Sequence, residues 1–524
     1  MTDNRKNLSD LKPVLGYLLI LILFALGTTL LITLNKGWKI SELDEAIEQS
    51  RVDKKAGITR SIPQNIRPAA AAGRFYPAEP EKLYQEVGSL LSASAPIKLQ
   101  DVRAVLVPHA AYIYSGDVAA AGFREIIKDF KRVFILAANH SNETHFSGVS
   151  LPEFSHYEIP GVQLPLDNII DELLSDPLFV QEPASHKKYV IEVELPFLYG
   201  LKGQPEQPDF TIIPMILGQL DDAAINRLAE ILNSLADEKT LFVFSVDLSH
   251  FYTDTQARQL DSFTIQAIMG RDNTSLSRTT ADGPLVLLTM TRLAELNGWE
   301  STLLQYKNSG AVSGDLAKVV GYAAIAFHKP LRLNEVQKKK ILEIARAAIE
   351  EFLERGDFND IDPEILQEQS ILKIPRGVFV TLKKNGQLRG CIGDIISTKP
   401  LHEGIQLCAV RSAVKDARFP PVTQDELDEL TVAVSVLEFP TLVRVNNPLE
   451  YPEALQPGKD GVIMVHKGRR STFLPHVWHD IPAPIEFLSR LCLKQNSPPN
   501  CWQDSQTTLY RYGTIDIAED DHNI

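Results

Sequence analysis

Ala104 to Gly116 reads AVLVPHAAYIYSG. Its first four residues, Ala104-Val105-Leu106-Val107, are apolar without alternation, as a strand buried on both faces must be. Pro108 has no N–H to give a central ladder, so the strand ends there. His109 then falls at the strand's C-terminal end, the edge where parallel α/β sheets gather their ligands. Two later stretches repeat the order. Val133-Phe134-Ile135-Leu136-Ala137-Ala138 runs into Asn139-His140, and Leu241-Phe242-Val243-Phe244-Ser245-Val246 runs into Asp247-Leu248-Ser249-His250. In a chain with 12 histidines, three apolar strands each ending in one predict imidazoles that converge, with a carboxylate, on a metal. The alternative is three unrelated loop histidines.

Working outward, the flanking sequence alternates apolar runs with helix-like segments. Strands are expected over 102–107, 132–138, 211–217, 241–246 and 319–327, and helices over 80–92, 115–128, 166–174, 222–236 and 284–296. This alternation predicts an α/β domain with a largely parallel sheet. Near residue 330 the pattern resets. Asn334 is placed to cap an amphipathic helix from Glu335 to Arg355. It opens an α+β region with short strands over 377–383, 388–393, 431–438 and 461–466.

The length of 524 residues exceeds one ordinary domain. A net charge of −14 argues against nucleic-acid binding by bulk charge, and no nucleic-acid partner is expected. Cys391, Cys408, Cys492 and Cys501 form no CxxC pair, a spacing that supports neither a structural zinc site nor a disulfide framework. Cys408 and Cys492 lie on apolar helical faces and read as core. Residues 13–34, PVLGYLLILILFALGTTLLITL, are uncharged and long enough to span a bilayer. Residues 1–35 therefore read as a cytoplasmic tail and a transmembrane helix, a single-pass membrane anchor, and 36–66 as a linker. A cleaved signal and a buried core helix are the alternatives. Arg5, Lys6 and Lys12 before the span, against Lys36 and Lys39 after it, lean towards extracytoplasmic soluble domains.

Six stretches carry a resemblance: Ala72-Gly73-Arg74-Phe75-Tyr76-Pro77, Pro108-His109-Ala110-Ala111-Tyr112, Asn139-His140-Ser141, Ile191-Glu192-Val193-Glu194-Leu195-Pro196-Phe197, Thr211-Ile212-Ile213-Pro214 and Asp247-Leu248-Ser249-His250. Residues 67–330 resemble the Memo family, whose fold is that of class III extradiol dioxygenases. The resemblance implies a metal site, described in the family with iron or copper, on His109 and His140. His250 stands close by with Asp247 beside it. The family completes its site with a cysteine in a TxCG segment. Here that segment reads Thr280-Ala281-Asp282-Gly283, so Asp282 takes the cysteine's place. Ala111 replaces a usual glycine and Tyr189 a usual histidine. Without the thiolate, the set suits iron, manganese or zinc better than copper(I). Iron is the expected ion.

Residues 334–518 resemble the AMMECR-type domain. The hallmark is Leu388-Arg389-Gly390-Cys391-Ile392-Gly393, supported by Asp416-Ala417-Arg418-Phe419-Pro420-Pro421 and Phe473-Leu474-Pro475. Cys391 is a thiol between glycines, where backbone can approach a ligand closely. Arg389 is a candidate to hold an anion or lower a thiolate pKa, with Arg418 and His476 as candidate neighbours. The alternative is a structural cysteine. The two modules occur together in prokaryotes beside a radical-SAM protein, in a set called AmmeMemoRadiSam, which implies a radical-SAM partner. The functional expectation is a membrane-anchored, metal-dependent redox or hydrolytic protein acting on a small-molecule or protein substrate. Asp247, His250 and Cys391 are its candidate catalytic residues, Arg389 and Arg418 its cofactor-binding residues, and His109, His140, His250 and Asp282 its metal ligands. The alternative is a non-catalytic, membrane-tethered binding module.

Overall fold

The computed structural model describes residues 65–93, 96–397 and 399–519. The expected span over 13–34 and nearly all of the expected linker lie outside them. No helix among the described residues is long and apolar enough to cross a membrane. The longest of these, Glu335–Arg355, carries charge along its whole length. The transmembrane, single-pass reading is corrected accordingly, and the fold stands as a mixed α/β chain.

Nine strands form one sheet among the described residues. Its centre is β1 (Ala104–Val107), β2 (Arg132–Ala138), β3 (Thr211–Leu217) and β4 (Thr240–Ser245). They lie side by side in the order β1-β4-β2-β3, all parallel. Every residue of β1 and β4 is buried, which explains their unbroken apolar runs. The sheet is mixed, not largely parallel. Beyond β1 it continues antiparallel through β7 (Val319–His328), which pairs with β5 (His250–Tyr252) and β6 (Glu300–Asn308). Only residues 309–318 join β6 to β7, fewer than a parallel crossover needs. The short strand Val149–Ser150 pairs antiparallel with β3 on the other side.

The helix expected over 115–128 is α1, Tyr112–Phe123. It starts early because Tyr112 is buried and held at both ends: its N–H donates to Phe75 O (2.8 Å) and its hydroxyl to Val193 O (2.6 Å). Asp221 caps α2 (Asp222–Leu235), and Pro284 opens α3 (Pro284–Asn297).

In the second region Asn334 caps α4 (Glu335–Arg355) through a full capping box with Gln337. A four-stranded antiparallel sheet follows, in the order β9 (Gln387–Asp394), β8 (Val378–Lys384), β10 (Leu430–Leu437) and Thr514–Ala518. The LRGCIG motif lies on β9, and α5 (Leu401–Val414) packs across it. A Cβ on Gly390 would stand 2.1 Å from the Ser412 carbonyl oxygen of α5. Backbone cannot yield as a flexible side chain can. Gly390→Ala is therefore expected to cost at least about 2 kcal/mol of stability in urea denaturation. A loss under about 0.5 kcal/mol, the size of an ordinary surface change, would contradict this packing.

Residues from Asn65 onward form one compact unit. A single apolar core runs from Phe123, Ile126 and Ala326 into Leu333, Ile341 and Leu372. A buried ion pair joins the two regions, with Arg376 Nη2 2.6 Å from Glu300 Oε2. Cys492 and Cys501 are bonded to each other, which corrects the reading that no cysteines pair. The chain turns back between them at Asn496, whose φ is +55°. Sequence spacing alone carries no such turn.

Candidate metal centre

β1, β4 and β2 are adjacent and parallel, so their C-terminal ends reach the same edge about 5 Å apart. His109 and His140 follow β1 and β2 by two residues each, and Asp247 and His250 follow β4. Asp282 arrives from a different direction, just before α3. It is clipped to Asp247 twice: its N–H donates to Asp247 O (3.2 Å), and its Oδ1 accepts from the Asp247 N–H (3.1 Å). Gly283 permits this approach, since a Cβ there would meet Val246 at 2.8 Å.

The ligand atoms of His109, His140 and Asp282 all lie within 4.8 Å of one another, as do those of Asp247, His250 and Asp282. The ring centroids of His109 and His140 are 5.0 Å apart. Asp282 Oδ2 lies 3.0 Å from His109 Nε2 and 3.1 Å from His140 Nε2. The His109 contact is off the hydrogen-bond axis. His109 is 1% exposed, and its Nε2 is a buried atom with no hydrogen-bond partner among the described residues. An orphaned imidazole nitrogen beside a carboxylate and a second imidazole fits a metal ion, which would bind all three.

The surroundings hold His109 in place. Its N–H donates to Asp247 Oδ1 (2.9 Å), and its Nδ1 bonds Ser245 Oγ (3.0 Å). Ser245 Oγ also lies 2.6 Å from Val190 O and 2.9 Å from Glu194 Oε1. A hydroxyl has one proton to give. With that proton on Val190 O, both His109 Nδ1–H and a protonated Glu194 donate to Ser245. Burial pushes the Glu194 carboxyl up to about 8, in keeping with that count. His109 thus turns Nε2 towards Asp282.

Charge is concentrated here. Burial works against a proton on His109, but Asp247 and Asp282 outweigh it and push the imidazole up to about 10. Burial likewise opposes the Asp282 carboxylate, and His109 and His140 overcome it, holding that group well below the usual range. Burial raises Asp247. Tyr189 walls the centre, stacked on Phe75 at 3.9 Å with its ring 5.9 Å from that of His109. Ala111 has φ −61°, so alanine meets no backbone strain there. A cavity of about 210 Å³ opens beside Asp282, lined by Asn139, His145, Phe146 and Gln219.

All five residues expected at the metal edge come together: His109, His140, Asp247, His250 and Asp282. Cys391, Arg389 and Arg418 lie instead on and around the second region's sheet. Arg389 does not serve Cys391. Its guanidinium is paired with Glu426 (2.9 Å) and donates to Pro420 O (2.9 Å). Arg418 does reach Cys391, donating to its carbonyl (3.2 Å) while paired with Asp416, which accepts the Cys391 N–H. Its guanidinium thus clamps the Cys391 backbone. His476 is exposed and, among the described residues, makes no hydrogen bond to Cys391. Sequence reasoning missed Glu194 and Ser245 as site residues. It marked Tyr189 only as a departure from a pattern.

Fold and edge together define an α/β protein whose sheet edge gathers histidines and carboxylates at metal-ligand spacing. Residues 67–326 match the Memo-like protein family and residues 342–517 match the AMMECR1 family. A MEMO1 family protein of Methanobrevibacter smithii is 33% identical over 292 residues, which is 99% of that protein and 50% of this chain. A protein of Methanothermobacter thermautotrophicus is 40% identical over 189 residues, 97% of its length and 36% of this chain. The crystal structure of an uncharacterized Pyrococcus horikoshii protein shares 34% identity over 93% of that chain and 36% of this one, with a TM-score of 0.34. The chain belongs to the Memo family and carries an AMMECR1 region after its Memo-like region.

Proposed function

We propose that the Memo-like region is a metal-dependent enzyme region that holds a divalent ion on His109, His140 and Asp282. The observation that carries this reading is the buried, orphaned Nε2 of His109 beside the Asp282 carboxylate and the second imidazole. Two imidazoles and one carboxylate with open positions form the donor set of non-haem Fe(II) oxidoreductases. The bound ion would supply Lewis acidity and redox chemistry at those positions. The chain does the rest. Ser245 and Glu194 orient His109, the Asp247 carboxylate fixes its backbone, and Tyr189 with Phe75 shields one side from water. The 210 Å³ cavity at Asp282 suits a small substrate. Hydrolysis on a zinc ion is the competing chemistry.

Metal analysis of the purified full chain tests this. About one equivalent of ion per chain is expected, with iron favouring oxidoreduction and zinc favouring hydrolysis. His109→Ala and His140→Ala should each reduce it below a tenth, since the remaining ligands compete poorly with water. Asp282→Cys should shift selectivity towards softer, thiophilic ions. A chain that purifies without metal and takes up none on titration would overturn the proposal in favour of a non-catalytic binding module.

A further inference from the structure

The centre has more ligands than one ion uses. His109, His140 and Asp282 make one set of three, and Asp247, His250 and Asp282 make another. Asp282 belongs to both, and its two oxygens face different ways. Oδ2 lies against the two imidazoles, at 3.0 and 3.1 Å. Oδ1 lies on the Asp247 side, where it accepts that residue's N–H. His250 bonds Leu248 O through Nδ1 (3.0 Å), which places the proton on Nδ1 and leaves a lone pair on Nε2. Nε2 makes no hydrogen bond among the described residues. Among the described residues the Asp247 carboxylate uses only Oδ1, for the His109 N–H, and the residue is 4% exposed. A second oxygen of the buried Asp247 carboxylate and an imidazole lone pair are therefore both uncommitted on the far side of Asp282.

We infer that this centre is built for a pair of divalent ions, the second held by Asp247, His250 and Asp282, with the Asp282 carboxylate bridging the two. The inference rests on the single-ion reading above and adds a site to it. Shared carboxylates hold paired ions about 3.5–4 Å apart in two-metal sites, a spacing that ligand sets sharing one residue within 4.8 Å can span. Asp282 offers two oxygens facing the two ligand sets, so one carboxylate in this position can serve both ions. Charge then sets the substrate class. Two divalent ions bring four positive charges, and Asp247 with Asp282 returns two. A buried surplus of that sign calls for an anionic ligand, so the pair would take a substrate carrying a carboxylate or phosphate group. The second ion binds more weakly than the first, because it joins an existing positive charge.

Manganese(II) titration of the chelator-stripped full chain tests this. Two ions per chain are expected, the second at least tenfold weaker, with an exchange-coupled spectrum in electron paramagnetic resonance appearing only past one equivalent. His250→Gln and Asp247→Asn should each return the stoichiometry to one and abolish the coupled spectrum. The amide introduced by Asp247→Asn keeps an acceptor for the His109 N–H, and His250 is partly exposed, so both variants should melt close to wild type. Asp282→Ala should remove both ions. Inorganic phosphate should tighten the second ion in wild type and leave the remaining ion of His250→Gln unchanged. Saturation at one ion, or a second ion that survives His250→Gln without coupling to the first, would overturn this inference alone. A chain that takes up no ion would overturn it together with the single-ion reading. A second ion indifferent to phosphate would overturn the anionic substrate class.

Discussion

Replacing Glu192 with alanine should remove about 3–5 kcal/mol of folding stability, the cost of leaving one partner of a buried pair alone. Glu192 is fully buried and collects four donors: Arg67 Nη1 (2.5 Å), the N–H groups of Ala70 (2.9 Å) and Ala71 (2.7 Å), and the Tyr76 hydroxyl (2.5 Å). Arg67 is itself 6% exposed and also donates to the Pro68, His186, Lys187 and Lys188 carbonyls. Alanine would strand a guanidinium charge, a phenol and two peptide N–H groups in the interior, each with its own desolvation penalty. Domains are held together by only about 5–15 kcal/mol, so the variant should sit near the edge of folding. Glu192→Gln keeps an acceptor and should cost less. Guanidinium denaturation reads both. A loss under about 1 kcal/mol for the alanine variant would mean that this cluster does not hold the Arg67–Ala71 segment to Glu192.

The metal-free protein should be most stable near pH 6.5 and lose on the order of a few kcal/mol towards pH 10. On the alkaline side the groups are His109, pushed up to about 10, and Glu194, pushed up to about 8. Both hold their protons more tightly when folded than unfolded. The folded state therefore binds more protons than the unfolded one, and stability falls as pH rises, from 4.5 to 8 for Glu194 and from 6.5 to 10 for His109. Losing the His109 proton leaves Asp247 and Asp282 facing each other without a cation. On the acid side His186 is pushed down to about 3 and His328 to about 4, first by burial. These two fold as neutral imidazoles, so their contribution is full above pH 6.5 and is lost as pH falls through those values. Thermal melts of the chelator-treated chain between pH 4 and 10 check the profile. Added metal should remove the His109 part of the alkaline decline and leave the smaller Glu194 part, because the ion takes over the charge of the His109 proton. A metal-free melting temperature that is flat or rising from pH 6.5 to 10 would contradict the buried carboxylate pair.

Periodicity located elements whose own residues carry the signal. The strands over 132–138 and 211–217 and the helix over 335–355 fall where their apolar pattern and caps put them. Helix α1 began three residues before the pattern did, because its first turn is fixed by Phe75 and Val193, residues of other segments. The arginine beside Cys391 shows the same limit. Read along the chain, Arg389 is the natural partner of that thiol. In space Glu426, thirty-seven residues on, claims it.

The sequence by itself determined that the chain is a Memo-like region followed by an AMMECR1 region, and that His109, His140, Asp247, His250 and Asp282 gather at one sheet edge. His109, His140 and His250 each follow an apolar run that reads as a buried strand, and strand ends of a parallel sheet share one edge. Tertiary structure alone decided how those groups are wired. Ser245 and Glu194 sit behind His109, Tyr189 beside it, and Asp282 between two ligand sets, all brought there by packing across segments far apart in the chain. Cys492 and Cys501 are bonded for the same reason, since a turn between them closes a gap that spacing leaves open. Side-chain chemistry is written locally, whereas proximity depends on the whole core closing around it.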